Sequence, residues 1–197
     1  MKVYHISRTE GLYEGMLIDI DGGFKPNNEM GDALIAGFNL RGVSEHGKSY
    51  LHDRVYFSNE PASLDDVRKS NSTCSMMITE YTFEIIRQLK FPHMPSRLVS
   101  FFAIESLTDT KYWPELISNE YSVFEIDIDY TPVKLDASYL ISGLGYGQDT
   151  PFKFHQGFSP SFNYYHAINY WSGQFSDNPK PELLLSLPLT IGKKLNR

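Results

Sequence analysis

Polar and apolar positions change rhythm along the chain, and each change marks an element. Val3-Tyr4-His5-Ile6-Ser7 reads as a short strand, with His5 on the face of Val3 and Ser7 and with Tyr4 and Ile6 on the other. Apolar Leu12, Met16, Leu17 and Ile18 follow. The run Asp21-Gly22-Gly23-Phe24-Lys25-Pro26-Asn27-Asn28 is dense in turn formers and reads as a loop, as does the stretch 41–50. Arg54-Val55-Tyr56-Phe57-Ser58 predicts another strand. From Ser63 to about Leu89 the period becomes helical, placing Ile78, Tyr81, Ile85 and Leu89 on one face, and Pro92 and Pro95 then stop the helix.

Leu98 to Ile104 is rich in aromatic and β-branched residues and predicts a strand. A short helix over Thr108–Ile117 follows, capped at Ser106 or Thr108. Tyr121 to Asp129 alternates: Phe124, Ile126 and Ile128 face one way, and Glu125, Asp127 and Asp129 form a solvated acidic face. Glycines and prolines break up 142–163, a length of irregular chain that suits a target-binding loop or lid. Tyr164–Trp171 reads as a short helix ended at Gly173, and Leu183–Ile191 as a last strand bent or placed at an edge by Pro188. The pattern predicts one α+β domain over 1–197, in which 21–95 includes loops and a helical insertion.

Composition adds exclusions. A hydrophobic share of 41% with 21% charged residues suits a folded globular chain. The net charge of −6 supplies no global basic field for nucleic acid, although it does not exclude a local one. Cys74 is the only cysteine, which rules out an internal disulfide and fits a reducing, cytoplasmic setting. No apolar run approaches the ~20 residues that span a bilayer, so no membrane association is expected. His46, His52, His155 and His166 lack metal spacing, and no phosphate loop or nucleophile elbow is present.

Three segments carry polar or aromatic residues that packing does not require: Val3-Tyr4-His5-Ile6-Ser7-Arg8, Pro95-Ser96-Arg97-Leu98-Val99-Ser100-Phe101-Phe102-Ala103, and Pro181-Glu182-Leu183-Leu184-Leu185. Their order resembles the signature of the ADP-ribosyltransferase superfamily of the His-aromatic-Glu type: a strand with His, a strand with an aromatic pair before Ala, and a late strand opening on Glu. The Pro-Ser-Arg-x-x-Ser-Phe-Phe-Ala strand, with Gly42-Val43-Ser44-Glu45-His46-Gly47, also resembles an uncharacterised bacterial family.

The superfamily resemblance implies a split β-sandwich of two small sheets with flanking helices, and NAD as co-substrate. It casts Glu182 and His5 as catalytic. His5, Ser7, Arg8, Arg97, Phe101, Phe102 and Tyr112 would contact NAD. His5 would donate to a ribose hydroxyl, Arg8 would pair with the pyrophosphate, and Phe101 and Tyr112 would stack on nicotinamide. Glu182 would stabilise the oxocarbenium ion as nicotinamide leaves. Arg97 has two readings, a structural ion pair or a phosphate ligand. The implied acceptor is macromolecular, nucleic acid or protein, in a toxin or phage-defence effector that an antitoxin partner neutralises. Two departures stand out. Phe101 replaces the usual Tyr, and Lys180 fills the place of the extra acid found in Arg-specific transferases. NAD glycohydrolysis on the same site, or nucleotide or protein binding without turnover, are the rival readings.

Overall fold

The computed structural model describes residues 1–7, 11–27, 29–51, 64–114, 121–141, 144–146, 156–158 and 160–195, with backbone alone at 30, 64–75, 144–146, 156–158 and 160. Helices and small antiparallel sheets are mixed, an α+β arrangement. Strand β1 (Lys2–Ser7) pairs with β4 (Ser122–Asp127), which also pairs with β10 (Lys194–Leu195). A second sheet has β8 (Pro181–Leu185) between β3 (Phe101–Ala103) and β5 (Val133–Asp136). Two ribbons complete the set: β2 (Leu17–Ile18) with β9 (Leu189–Thr190), and β6 (Leu144–Tyr146) with β7 (Gln156–Phe158).

Alternation along β8 explains the layering. All five of its residues are buried, so successive side chains feed two different cores. Leu183 and Leu185 enter the core between the sheets, with Val3, Phe124, Ile126, Ala103, Ile18, Leu189 and Ile191. Leu184 enters a second core, with Phe83 and Ile86 of α3 (Leu64–Lys90) and Ala167, Tyr170 and Trp171 of α4 (Pro160–Trp171). The two helices are fastened by the Trp171 indole, which donates to the Phe83 carbonyl at 2.8 Å. Among the described residues no helix is long and apolar enough to cross a membrane.

Several expectations are corrected. The stretch 41–50 is not all loop: Glu45–Leu51 forms helix α2. Ser44 starts it, its Oγ accepting from the Gly47 amide at 3.2 Å while donating to the Leu98 carbonyl at 3.1 Å. The buried face of α3 is carried by Thr79, Glu80, Phe83, Glu84 and Ile86, whereas Ile85 and Leu89 are 46% and 70% exposed. Hydrophobic periodicity misplaces this stripe because its two acids are buried by ion pairing. Arg97–Val99 is a 3-10 turn ahead of β3 rather than part of a strand. The last predicted strand is broken into β8 and β9 around Pro188, and β5 had no counterpart in the pattern. Helix α4 starts at Pro160, earlier than Tyr164, with proline in the first turn, where its missing N–H costs nothing. The predicted strand 54–58 and most of the loop 142–163 lie outside the described residues.

Gly47 is where α2 meets the Arg97 turn. A Cβ there would fall on the Leu98 carbonyl oxygen, far inside van der Waals contact. Gly47→Ala is therefore expected to destabilise the fold by about 1–3 kcal/mol, the order for overpacking, measured as a fall in urea midpoint. An unchanged midpoint would mean that α2 shifts freely on its neighbour.

Candidate functional site

The helix-facing side of the second sheet holds a buried charge cluster centred on Arg97. Its guanidinium binds the Glu80 carboxylate through Nε at 3.0 and 3.2 Å and Nη2 at 3.1 Å. Nη1 donates to Glu182 Oε1 and contacts the Tyr170 hydroxyl at 2.6 Å. Tyr170 donates in turn to the same Glu182 oxygen at 2.6 Å. Arg97, Glu80 and Glu182 are each about nineteen-twentieths buried, and Tyr170 fully so. Burial pushes the Glu80 carboxyl up, but the charges of Arg97 and His46 outweigh it and hold the group at about 2. Burial likewise opposes the Arg97 charge, and Glu182 and Glu80 more than restore it. Burial, reinforced by the Glu182 charge, keeps Tyr170 protonated well above the usual tyrosine range.

Neighbouring contacts set this cluster in place. Prolines 92 and 95 bracket the approach to the Arg97 turn, whose N-cap Ser96 accepts from the Leu98 amide and donates to Glu84 at 2.8 Å. Glu84 is also held by Arg87 at 2.7 and 3.0 Å. On the other side, Asp136 accepts backbone N–H bonds from Ser138, Ser176 and Lys180 at 2.8–2.9 Å, which fixes the entry to β8. Glu182 stands opposite Leu135 in this register.

Phe102 joins the cluster to the first sheet. Arg97 lies 4.7 Å from its ring centroid and the His46 ring 4.6 Å away, while its carbonyl accepts from His5 Nδ1 at 2.7 Å. The sheets touch through one antiparallel bridge, Tyr4 with Ile104. Continued pairing would set Ile6 opposite Phe102, but the strands part there and the His5 imidazole takes the carbonyl instead. A carbonyl can only accept, so His5 carries its proton on Nδ1 and presents Nε2 as an acceptor. Burial lowers its pKa despite the Phe102 bond, keeping the ring neutral at neutral pH. Donation from Nε2 would require the protonated ring.

Phe101 and Phe102 take opposite faces of β3. Phe101 packs on the inter-sheet core and against the His5 ring, with centroids 4.3 Å apart, while Phe102 packs on the helix side, as do Leu184 and Glu182. The aromatic on the face of Glu182 is therefore Phe102, and Phe101 is not. Tyr112 ends a 3-10 turn, Leu107–Tyr112, started by a capping box of Ser106 and Asp109. Its ring carries the Lys111 ammonium at 4.7 Å and makes no ring contact with Phe101.

Ser7 is buried at the end of β1, opposite Ser122. Arg8 lies outside the described residues. Of the two readings of Arg97, the ion pair is observed. Nε, Nη1 and Nη2 all donate within the cluster, to Glu80, Glu182 and Tyr170, and the grip falls on Glu182 itself. The pattern reading missed Glu80, Tyr170 and His46 as members of the site. Only His46 left a trace, in the Gly42–Gly47 segment. Among the described residues no three His, Cys, Asp or Glu side chains gather to hold a metal ion.

Residues 3–197 match the model of a family described as a protein of unknown function (DUF2441), and the chain belongs to that family. Comparison with curated proteins returns no match.

Two outcomes follow from these charges. Glu80→Gln leaves Arg97 without its bidentate partner and should cost about 3–5 kcal/mol of unfolding free energy, as removal of one member of a buried pair does. Chemical denaturation reads this directly. The folded chain binds a proton at His5 less readily than the unfolded chain, whose ordinary value is 6.5. Stability from this group is present at neutral pH and falls as pH drops below 6.5. The pH profile of thermal midpoint should accordingly be flatter in His5→Gln over that interval, and an unaltered slope would contradict the assignment.

Proposed function

We propose that this member of the DUF2441 family is an NAD-dependent ADP-ribosyltransferase, that its two sheets are the split β-sandwich of that superfamily, and that it modifies a macromolecular acceptor, nucleic acid or protein. The observation that carries the reading is the meeting of all three motifs at Phe102. His5 of the first motif holds its carbonyl. Arg97, which precedes it in the second, covers its ring. Glu182, opening the third, is held by that same Arg97.

In this reading His5 Nε2 accepts from a ribose hydroxyl, and the half-buried Phe102 ring takes the face of the nicotinamide. Both bonds to Glu182 fall on Oε1, and among the described residues Oε2 carries none, leaving an oxygen for the 2′-hydroxyl. The C1′–N bond breaks with its electron pair going to the nicotinamide nitrogen. The cation that develops at C1′ is opposed by the Glu182 charge, and the acceptor atom then bonds to C1′. A positioned anion of this kind acts by electrostatic stabilisation of the transition state.

One observation favours a second reading, nucleotide binding without turnover: the Glu182 charge is matched by Arg97 and the side chain is almost fully buried. Incubation with labelled NAD and cell lysate separates the readings. Label on macromolecule identifies the transferase, free ADP-ribose the glycohydrolase, and intact NAD with a raised thermal midpoint the binding domain. Glu182→Gln keeps the shape and the Tyr170 bond. It is expected to lower NAD cleavage by about 10²-fold or more while the NAD-induced thermal shift persists. Full cleavage activity in that variant would remove Glu182 from the mechanism.

A further inference from the structure

The Gly42–Gly47 segment does more than dock α2. Gly42 and Gly47 allow close approach and Ser44 caps the helix, but none of these tasks requires a histidine at position 46. His46 nonetheless sits against the charge cluster. Its Nε2 is buried, 3.3 Å from Glu80 Oε1, without an aligned hydrogen bond, and its ring lies between Tyr50 and Phe102, at 4.8 and 4.6 Å. The side chain keeps 22% of its surface in solvent. Among the described residues its other nitrogen, Nδ1, carries no hydrogen bond. A histidine with one nitrogen turned to a buried carboxylate and the other open is arranged as a base whose protonated form is stabilised from behind.

We infer that His46, backed by Glu80, is the proton acceptor for the group that attacks the ribose carbon. The inference rests on the transferase reading above and adds the missing half of the reaction, activation of the acceptor. The acceptor X–H gives its lone pair to C1′ as the C1′–N bond breaks, and nicotinamide leaves with that bond's electrons. The X–H proton passes to His46 Nδ1, and the resulting imidazolium lies against the Glu80 carboxylate. With water as X–H the product is free ADP-ribose. No oxidant or metal is required for this balance. His46 lies against the Phe102 ring that Arg97 covers, and Glu182 is held by that same Arg97, so base and anion belong to one cluster.

The charged and titratable groups around His46 are Glu80 and Tyr81 on α3, Arg97 on its turn, Tyr50 on α2, and, beyond Arg97, Glu182 and Tyr170. No second imidazole stands among them, and His5 is held on β1 by the Phe102 carbonyl.

The test measures NAD turnover against pH for wild type, His46→Gln, His46→Ala and His5→Gln, with NAD affinity from thermal shifts. His46→Gln is expected to lose about 10²-fold or more in kcat with the NAD shift unchanged. The acid limb of the wild-type profile should vanish in it and persist in His5→Gln. Added imidazole should restore turnover to His46→Ala. A wild-type rate in His46→Gln, or an intact acid limb, overturns the inference while leaving the transferase reading standing. Loss of NAD binding together with turnover, without imidazole rescue, makes His46 structural and overturns it as well. Absence of NAD turnover in the wild type ends both. The wild-type profile needs no variant, so a failure of either His46 variant to fold leaves that arm decisive: a profile without an acid limb overturns the inference.

Discussion

The buried guanidinium of Arg97 constrains most of the second half of this molecule. Removing such a group from water costs several kcal/mol unless counter-charges and hydrogen-bond acceptors surround it. Arg97 finds them on three elements far apart in sequence: Glu80 on α3, Tyr170 on α4 and Glu182 on β8. Those elements must therefore meet at one point whenever the chain is folded. The apolar core around Phe83, Leu184 and Trp171 supplies the cohesion of that region, while Arg97 supplies its register.

The same constraint gives the site its chemical character. A carboxylate held on one oxygen by an arginine and a phenol has a fixed direction, and its second oxygen is left for another partner. The ring of Phe102 forms a wall shared by Arg97 and His46, and its carbonyl ties that wall to the parting of the two sheets at His5. Fixed charges thus stand beside a half-exposed aromatic surface.

Much of the frame was legible in the chain. β1, β4 and the long helix α3 follow from alternation and helical period, and the prolines at 92 and 95 end the helix as expected. The three motif segments do become neighbours. What could not be read was the orientation of charged side chains. Glu80 and Glu84 look like a solvated helix face because periodicity treats every carboxylate as outward-facing. Arg97 and Ser96, from beyond the helix end, turn that face inward, with Arg87 one turn along the same helix. Which of Phe101 and Phe102 shares a face with Glu182 was hidden for a related reason: a strand's alternation is evident, but the face that meets Glu182 depends on the register of the neighbouring strand. Helix α2 stayed hidden because it is short and Gly47 lowers its helix propensity, and tight packing on Leu98 offsets that loss.

Asp136 carries one further consequence. By gathering amides from Ser138, Ser176 and Lys180 on a single side chain, it brings the ends of a span of roughly 40 residues together independently of what lies between them. The entropy of closing such a span changes only slowly with its length, by about 0.6 kcal/mol per doubling. Helix α4 lies within that span and is held by its own bonds, Tyr170 to Glu182 and Trp171 to Phe83. The head of β8, and Glu182 with it, is thus tied down twice: once through that helix and once through a clasp whose donors are all main-chain amides.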